Sequence, residues 1–168
     1  MNVGASKPED CGDYFAWGET SQKQDYRSES NKWYDTEKRS YAKYNPEVDN
    51  KIELDPSDDA AYVNCGSEWR MPTKEQFDEL QAECSWQWTE GGYLLTSKKN
   101  SKTLFLPAAG ARLFSSLDDV GYYGGYWSRT LHSGGTYGAY SLYFSSERMR
   151  VNYDDRGVGF SVRAVRVP

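Results

Sequence analysis

The clearest pattern in the chain is an alternation of apolar and polar positions in its last third. Tyr140, Leu142 and Phe144 alternate with Ser141, Tyr143 and Ser145. Met149 and Val151 alternate with Arg148, Arg150 and Asn152, and Val158, Phe160, Val162 and Ala164 with Gly159, Ser161 and Arg163. A period of two predicts strands with one packed and one wet face. The predicted wet face gathers Ser141, Tyr143, Ser145, Arg148, Arg150 and Asn152. Between the last two strands, Tyr153-Asp154-Asp155-Arg156-Gly157 reads as an exposed turn.

Helical signals lie upstream. Asp55 is placed to cap a helix with Pro56 in its first position and acids in its first turn, ending at Gly66. Thr73 and Gln76 have the spacing of a capping box, after which Phe77, Leu80 and Cys84 fall on one helical face. Ser85–Thr89 and Tyr93–Ser97, around Glu90-Gly91-Gly92, predict a hairpin. Lys102–Leu106 predicts a strand whose Leu104-Phe105-Leu106 run suggests burial on both faces. Residues 115–125 read as a loop. Asp13–Gly18 suits a short strand, and residues 20–50, polar and nearly free of aliphatics, a long surface excursion ordered by its aromatics. The pattern is that of a single α+β domain.

Composition sharpens this. Aromatics make up 15% of 168 residues, with 14 Tyr and 6 Trp, and there are 15 Gly, which favours a turn-rich, β-rich chain. No apolar run approaches the roughly 18 residues of a spanning helix, so no membrane span is expected. Met1–Lys7 lack the apolar core of a secretory leader. The net charge of −5 is uneven: residues 1–110 carry 13 basic and 20 acidic residues, residues 111–168 seven Arg and five acids. The acidity argues against nucleic acid as a partner. The Tyr/Ser/Gly/Arg-rich last third has the composition of protein-binding loops.

Candidate chemistry is sparse. Cys11, Cys65 and Cys84 lack CxxC spacing and His132 is the one histidine, whereas a zinc site needs about four N or S ligands. Cys65 and Cys84 are expected on the buried faces of two neighbouring helices. His132 falls in Thr130–Gly135, an expected flexible, exposed loop suited to a surface or ligand contact. Of the acidic clusters, Asp55, Asp58 and Asp59 are explained as helix-start charges, which leaves Asp118-Asp119 as the calcium candidate, without the spacing of a calcium-binding loop. No phosphate-binding glycine motif or nucleophile elbow occurs. No catalytic residue, metal or cofactor is therefore expected, and the wet face with its adjoining loops is the candidate binding surface.

Several motifs occur in a familiar order: Asn2-Val3-Gly4-Ala5, Gly12–Thr20, Asp58-Asp59-Ala60-Ala61, Trp69-Arg70-Met71-Pro72-Thr73, Phe105–Gly110, Tyr126-Trp127-Ser128 and Gly159-Phe160-Ser161-Val162-Arg163. Together they resemble the Fibrobacter succinogenes major paralogous domain, a family common in gut Bacteroidetes and their phages. That resemblance implies a C-type-lectin-like fold: two helices, small twisted antiparallel sheets and long loops. The related formylglycine-generating activity rests on Cys in the C-terminal part of the domain. No Cys follows Cys84, so that enzyme is not expected.

Family members usually carry a strand before Asn-Val-Gly-Ala, and it pairs with the last strand. Its absence ahead of Met1 implies an open edge at Phe160–Val165 that would take a partner strand or a second copy. Residues 126–163 further resemble the variable region of proteins diversified by retroelements, which randomise the adenines of Asn codons. Positions reachable in that way are Ser141, Tyr143, Ser145, Arg148, Arg150, Asn152, Tyr153, Asp154, Asp155, Gly157 and Val158. With Arg129 and His132 from the same segment, and without Val158, they form the expected ligand-contact set. The implied partner is a protein or glycan on a cell surface, the implied location a cell surface or virion. The alternative is a structural or adhesive surface domain.

Overall fold

Asp59, rather than Asp55, starts the first helix. In the computed structural model, which describes residues 1–167, Pro56–Asp58 form one 3-10 turn. Asp59 then caps helix α1 (Ala60–Cys65) by accepting the amides of Ala61 and Tyr62. The choice is tertiary: Asp59 is fully buried, where it also accepts the Met71 amide and pairs with Arg70 Nε at 2.7 Å. A buried carboxylate with four donors satisfies both its charge and a helix end. Gly66 ends α1 at φ 100°.

The remaining elements follow in chain order. A small ribbon pairs β1 (Tyr34–Asp35) with β2 (Ser40–Tyr41). After β3 (Trp69–Arg70), helix α2 (Lys74–Glu83) carries the predicted capping box. β4 (Cys84–Thr89), β5 (Gly92–Ser97) and β6 (Thr103–Pro107) form an antiparallel sheet. The stretch expected as a loop, 115–125, contains one strand of a hairpin, β8 (Ser116–Asp118), which pairs with β7 (Ala111–Leu113) just before it. A second three-stranded sheet orders β9 (Tyr123–Leu131), β10 (Gly138–Ser145) and β11 (Arg148–Asp155) as β11-β10-β9. β12 (Val165–Arg166) pairs with β3. The chain is α+β, with two helices and several small antiparallel sheets. No helix among the described residues is long and apolar enough to cross a membrane.

Both faces of the β9–β11 sheet are used. On one, Tyr126, Leu142 and Phe144 pack with Phe77, Tyr93, Leu95 and Leu106, and Met149 and Val151 cover them in part. On the other, Trp127 and Ala139 join Phe15, Trp17, Phe160 and Val162. Gly124 and Gly125 make this double packing possible. A Cβ would lie 2.2 Å from the Phe144 ring at Gly124 and 2.4 Å from the Phe160 ring at Gly125. Each glycine admits one aromatic onto the β9 backbone, from opposite sides.

This second core corrects several expectations. Ser141 is not wet but 0% exposed: it lies opposite Trp127 on the side of the sheet that packs against Phe160 and Val162, and residues 160–162 are held there by pairing along the outer edge of β9, where Trp127 N–H donates to Ser161 O at 3.1 Å. Gly159 and Ser161 are buried and Arg163 nearly so. The Phe160–Val165 edge is closed. Val3 N–H donates to Val162 O, Phe15 and Phe160 exchange two main-chain bonds, and Val165 pairs with Arg70. Cys65 is exposed, and Cys84, half-buried, opens a strand rather than lying on a helix.

Residues 20–50 are also more than a surface excursion. Tyr26, Tyr41 and Tyr44 are buried. Asp58 accepts Lys32 Nζ at 2.8 Å, Lys43 Nζ at 2.6 Å and Tyr44 O–H at 2.5 Å. Burial by itself would raise its carboxyl pKa, but these donors outweigh it and hold the group below the usual range. The expected exposed turn at 153–157 is mostly strand and core. β11 continues through Asp155, and Arg156 is 0% exposed. Its guanidinium donates to the carbonyls of Lys43, Tyr44 and Thr136 at 3.1, 3.3 and 3.1 Å, with its carbon 3.7 Å from the Tyr41 ring centre and 4.7 Å from that of Trp17.

Arg156→Ala should therefore cost about 3 kcal/mol or more, since three carbonyls, one buried and two half-buried, lose their donor at roughly 1–3 kcal/mol each. Arg148→Ala, on the surface, should stay within about 0.5 kcal/mol. Urea unfolding of the two variants checks the contrast, and equal effects would refute this account of Arg156.

Candidate functional site

The hairpin β10–β11 carries most of the predicted contact residues, and its register sorts them by face. Opposite pairs are Ser141 with Asn152, Tyr143 with Arg150 and Ser145 with Arg148. Paired residues share a side of the sheet, so these six stand on the Trp127 side, together with Asp154. Tyr153 and Asp155 fall on the alternate positions. One strand thus divides the set between two sides.

On the first side the organising group is Tyr143. Its ring stacks on Tyr123, with centroids 5.3 Å apart and planes 28° from parallel. The guanidinium carbons of Arg148 and Arg150 each lie 5.8 Å from the Tyr143 ring centre, and both arginines are exposed. Planar aromatic and guanidinium groups held in this way offer contact area, cation–π attraction and hydrogen-bond donors at modest entropy cost. Beneath them, Asp154 accepts the Ser141 hydroxyl at 2.5 Å. Burial raises the Asp154 carboxyl pKa, and the Ser141 hydrogen bond and the Arg150 charge offset that only in part.

A second aromatic group lies toward the other end of the hairpin. Tyr153 stacks on His132 with centroids 3.8 Å apart, and His132 meets Tyr140 edge-on at 5.1 Å. Ser133 Oγ and Tyr140 Oη are 2.9 Å apart, and Lys74 Nζ lies 5.6 Å from the Tyr140 ring centre. A concavity of about 410 Å³ opens beside His132, Ser133 and Tyr140. His132 immediately follows β9 and is only half-exposed, packed against aromatics rather than in a free loop.

Asp155 belongs to a third place, a cleft of about 690 Å³ walled by Asp25–Ser30, Leu113, Phe114 and Val158. There it accepts Ser28 O–H at 2.6 Å and the Gly157 amide at 2.7 Å. Gly157 offers no side chain and is buried, and a Cβ there would meet Ser28 N at 2.5 Å. Arg129 points inward as well, donating to Glu53 at 2.9 Å and to the Met71 carbonyl at 2.9 Å. Five of the expected contacts, Tyr143, Ser145, Arg148, Arg150 and Asn152, therefore share one accessible side, with Asp154 half-buried among them and Ser141 sealed below.

Sequence reasoning missed Tyr123, which backs Tyr143, because residues 115–125 carry no clean alternation. It also missed Tyr140 as a partner of His132. Among the described residues, no three His, Cys, Asp or Glu side chains gather as metal ligands.

Asp154 makes a pH test available. Its folded carboxyl binds a proton more tightly than the unfolded one, so folding is penalised once pH rises above the unfolded pKa, and the penalty is complete above the folded pKa. Asp154→Asn should therefore melt at a higher temperature than the parent chain at pH 7, with the gain disappearing below the carboxylate range. A gain of equal size at acid pH would refute the assignment. Compared with protein-family models, with curated proteins and with solved structures, the chain finds no match.

Proposed function

We propose that this chain is a non-enzymatic ligand-binding module on a C-type-lectin-like scaffold, and that the Tyr143 side of β10–β11 is its recognition face. One observation carries the reading. Tyr143, Arg148 and Arg150 form an aromatic–guanidinium cluster at the surface, on strands whose alternate residues Leu142 and Phe144 are fully buried. Side chains at the accessible positions are free to change while the core stays the same. Diversification by a retroelement acting on Asn codons fits that arrangement for Tyr143, Ser145, Arg148, Arg150 and Asn152. It fits Gly157 poorly, where the backbone of residues 27 and 28 leaves no room for a side chain. The partner in this reading is a protein or glycan on a cell surface, including that of a phage host.

A glycan array and a panel of extracellular protein domains test the proposal. The parent chain is expected to bind at least one member. Tyr143→Ala/Arg150→Ala should weaken that binding about tenfold or more, since two central contacts of this type are each worth roughly 1–2 kcal/mol, with the melting temperature little changed. Undiminished binding by the double variant, or its loss on changing the exposed residues of 20–50 instead, would overturn the assignment of the face.

A further inference from the structure

The structure closes the edge at Phe160–Val165 and leaves another open. β11 bonds to β10 on one side and to no strand on the other. Among the described residues, no main-chain bond leaves Arg148–Asp154 on that outer side. Eight residues make a long edge. Three of the usual protections are missing: the strand has no Pro and no Lys, and its register with β10 runs from Ser145–Arg148 to Gly138–Asp155 without a bulge.

What the edge does carry is an ordered charge. Arg148 and Arg150 stand at its start, Asp154 and Asp155 at its end. An antiparallel copy of the same strand presents these in reverse. We infer that β11 pairs antiparallel with β11 of a second copy of this chain, joining two three-stranded sheets across a two-fold axis.

The charges select the register. A two-fold perpendicular to the sheet sets opposite residues on the same side of it. With the axis at Val151, Arg148 faces Asp154 of the second copy, and with the axis at Asn152, Arg150 does. Each pair occurs twice by symmetry, and seven residues of each strand overlap in both registers. Moving the axis to Arg150 would oppose Arg150 to itself, a destabilising like-charge pair. Asp154 has reason to accept such a partner. Within the chain its carboxylate is half-buried, accepts only the Ser141 hydroxyl and makes no direct ion pair among the described residues, and an incoming guanidinium would supply one. Arg148 and Arg150 are exposed and take part in no ion pair within the chain among the described residues. Tyr153 and Val151, half-exposed or more on the alternate positions, would meet across the same seam.

The axis sets both Tyr143 clusters on one side of the joined sheet, so one surface would present two recognition faces. That consequence rests on the function proposed above, whereas the pairing itself does not.

Sedimentation velocity of the full chain across the micromolar range tests the pairing. The parent chain should show a concentration-dependent monomer–dimer equilibrium. Amide hydrogen exchange within 149–155 should slow as protein concentration rises. Arg148→Asp/Arg150→Asp alters exposed side chains and turns the whole edge acidic. It should raise the dimer dissociation constant at least about tenfold while leaving the melting temperature of the monomer near that of the parent. A parent chain that stays monomeric throughout, or a dimer that the double variant does not weaken, would overturn the inference. Neither outcome depends on whether the array or panel yields a ligand.

Discussion

Arg156 is the group on which the rest of the structure leans. A fully buried guanidinium without a carboxylate partner is expensive to desolvate, and burial lowers its pKa to about 10, still high enough to keep it charged at neutral pH. The surroundings offset this with two kinds of contact: the ring faces of Tyr41 and Trp17, and three main-chain carbonyls. Those groups come from three separate parts of the chain, residue 17, residues 41–44 and residue 136, and the charge is fully compensated only when all of them arrive. The Arg156 main chain adds two further ties, accepting from Trp17 N–H and donating to Tyr137 O.

Several features follow from that one constraint. Residues 41–44 must pack onto the body, which turns a polar excursion into part of the core. Lys43 and Tyr44, fixed in this way, deliver their Nζ and hydroxyl to Asp58, and the 3-10 turn before α1 is tied down with them. The chain after β11 must turn inward at residue 156, which seats Gly157 against the Arg27–Ser28 backbone and positions Asp155 at the mouth of a cleft. The end of the hairpin that carries the candidate face is thereby anchored, leaving its other end, near Ser146-Glu147, projecting outward. A recognition surface with a rigid back and a free outer edge suits both the ligand reading and the pairing of two copies.

Much of this was legible in the sequence, for local reasons. Alternation in 140–152 placed two strands with Leu142 and Phe144 inward, because a strand that buries one face must repeat every two residues. Thr73 and Gln76 announced α2, because a capping box is satisfied by residues three apart with no help from elsewhere. The β4–β5 hairpin followed from Glu90-Gly91 between two β-rich runs. Tyr143, Arg148 and Arg150 were correctly expected on one side because register within a tight hairpin is a local property.

What alternation does not contain is how much covers each side. Ser141, Tyr143 and Ser145 share a face and a period, yet Ser141 is sealed because its part of that face packs into the core with Phe160 and Val162, some twenty residues further along the chain. Asp55 and Asp59 are equivalent as caps by sequence; Arg70 and the Met71 amide, eleven and twelve residues away, decide for Asp59. Arg156 looks like a turn residue until aromatics more than a hundred positions earlier enclose it. The sequence by itself determined the strands, the capping box and the side of the hairpin that bears Tyr143 and its arginines. Tertiary structure alone decided which polar residues go inside and which strand edge stays open, because burial and edge pairing are settled by segments that meet only when the chain has folded.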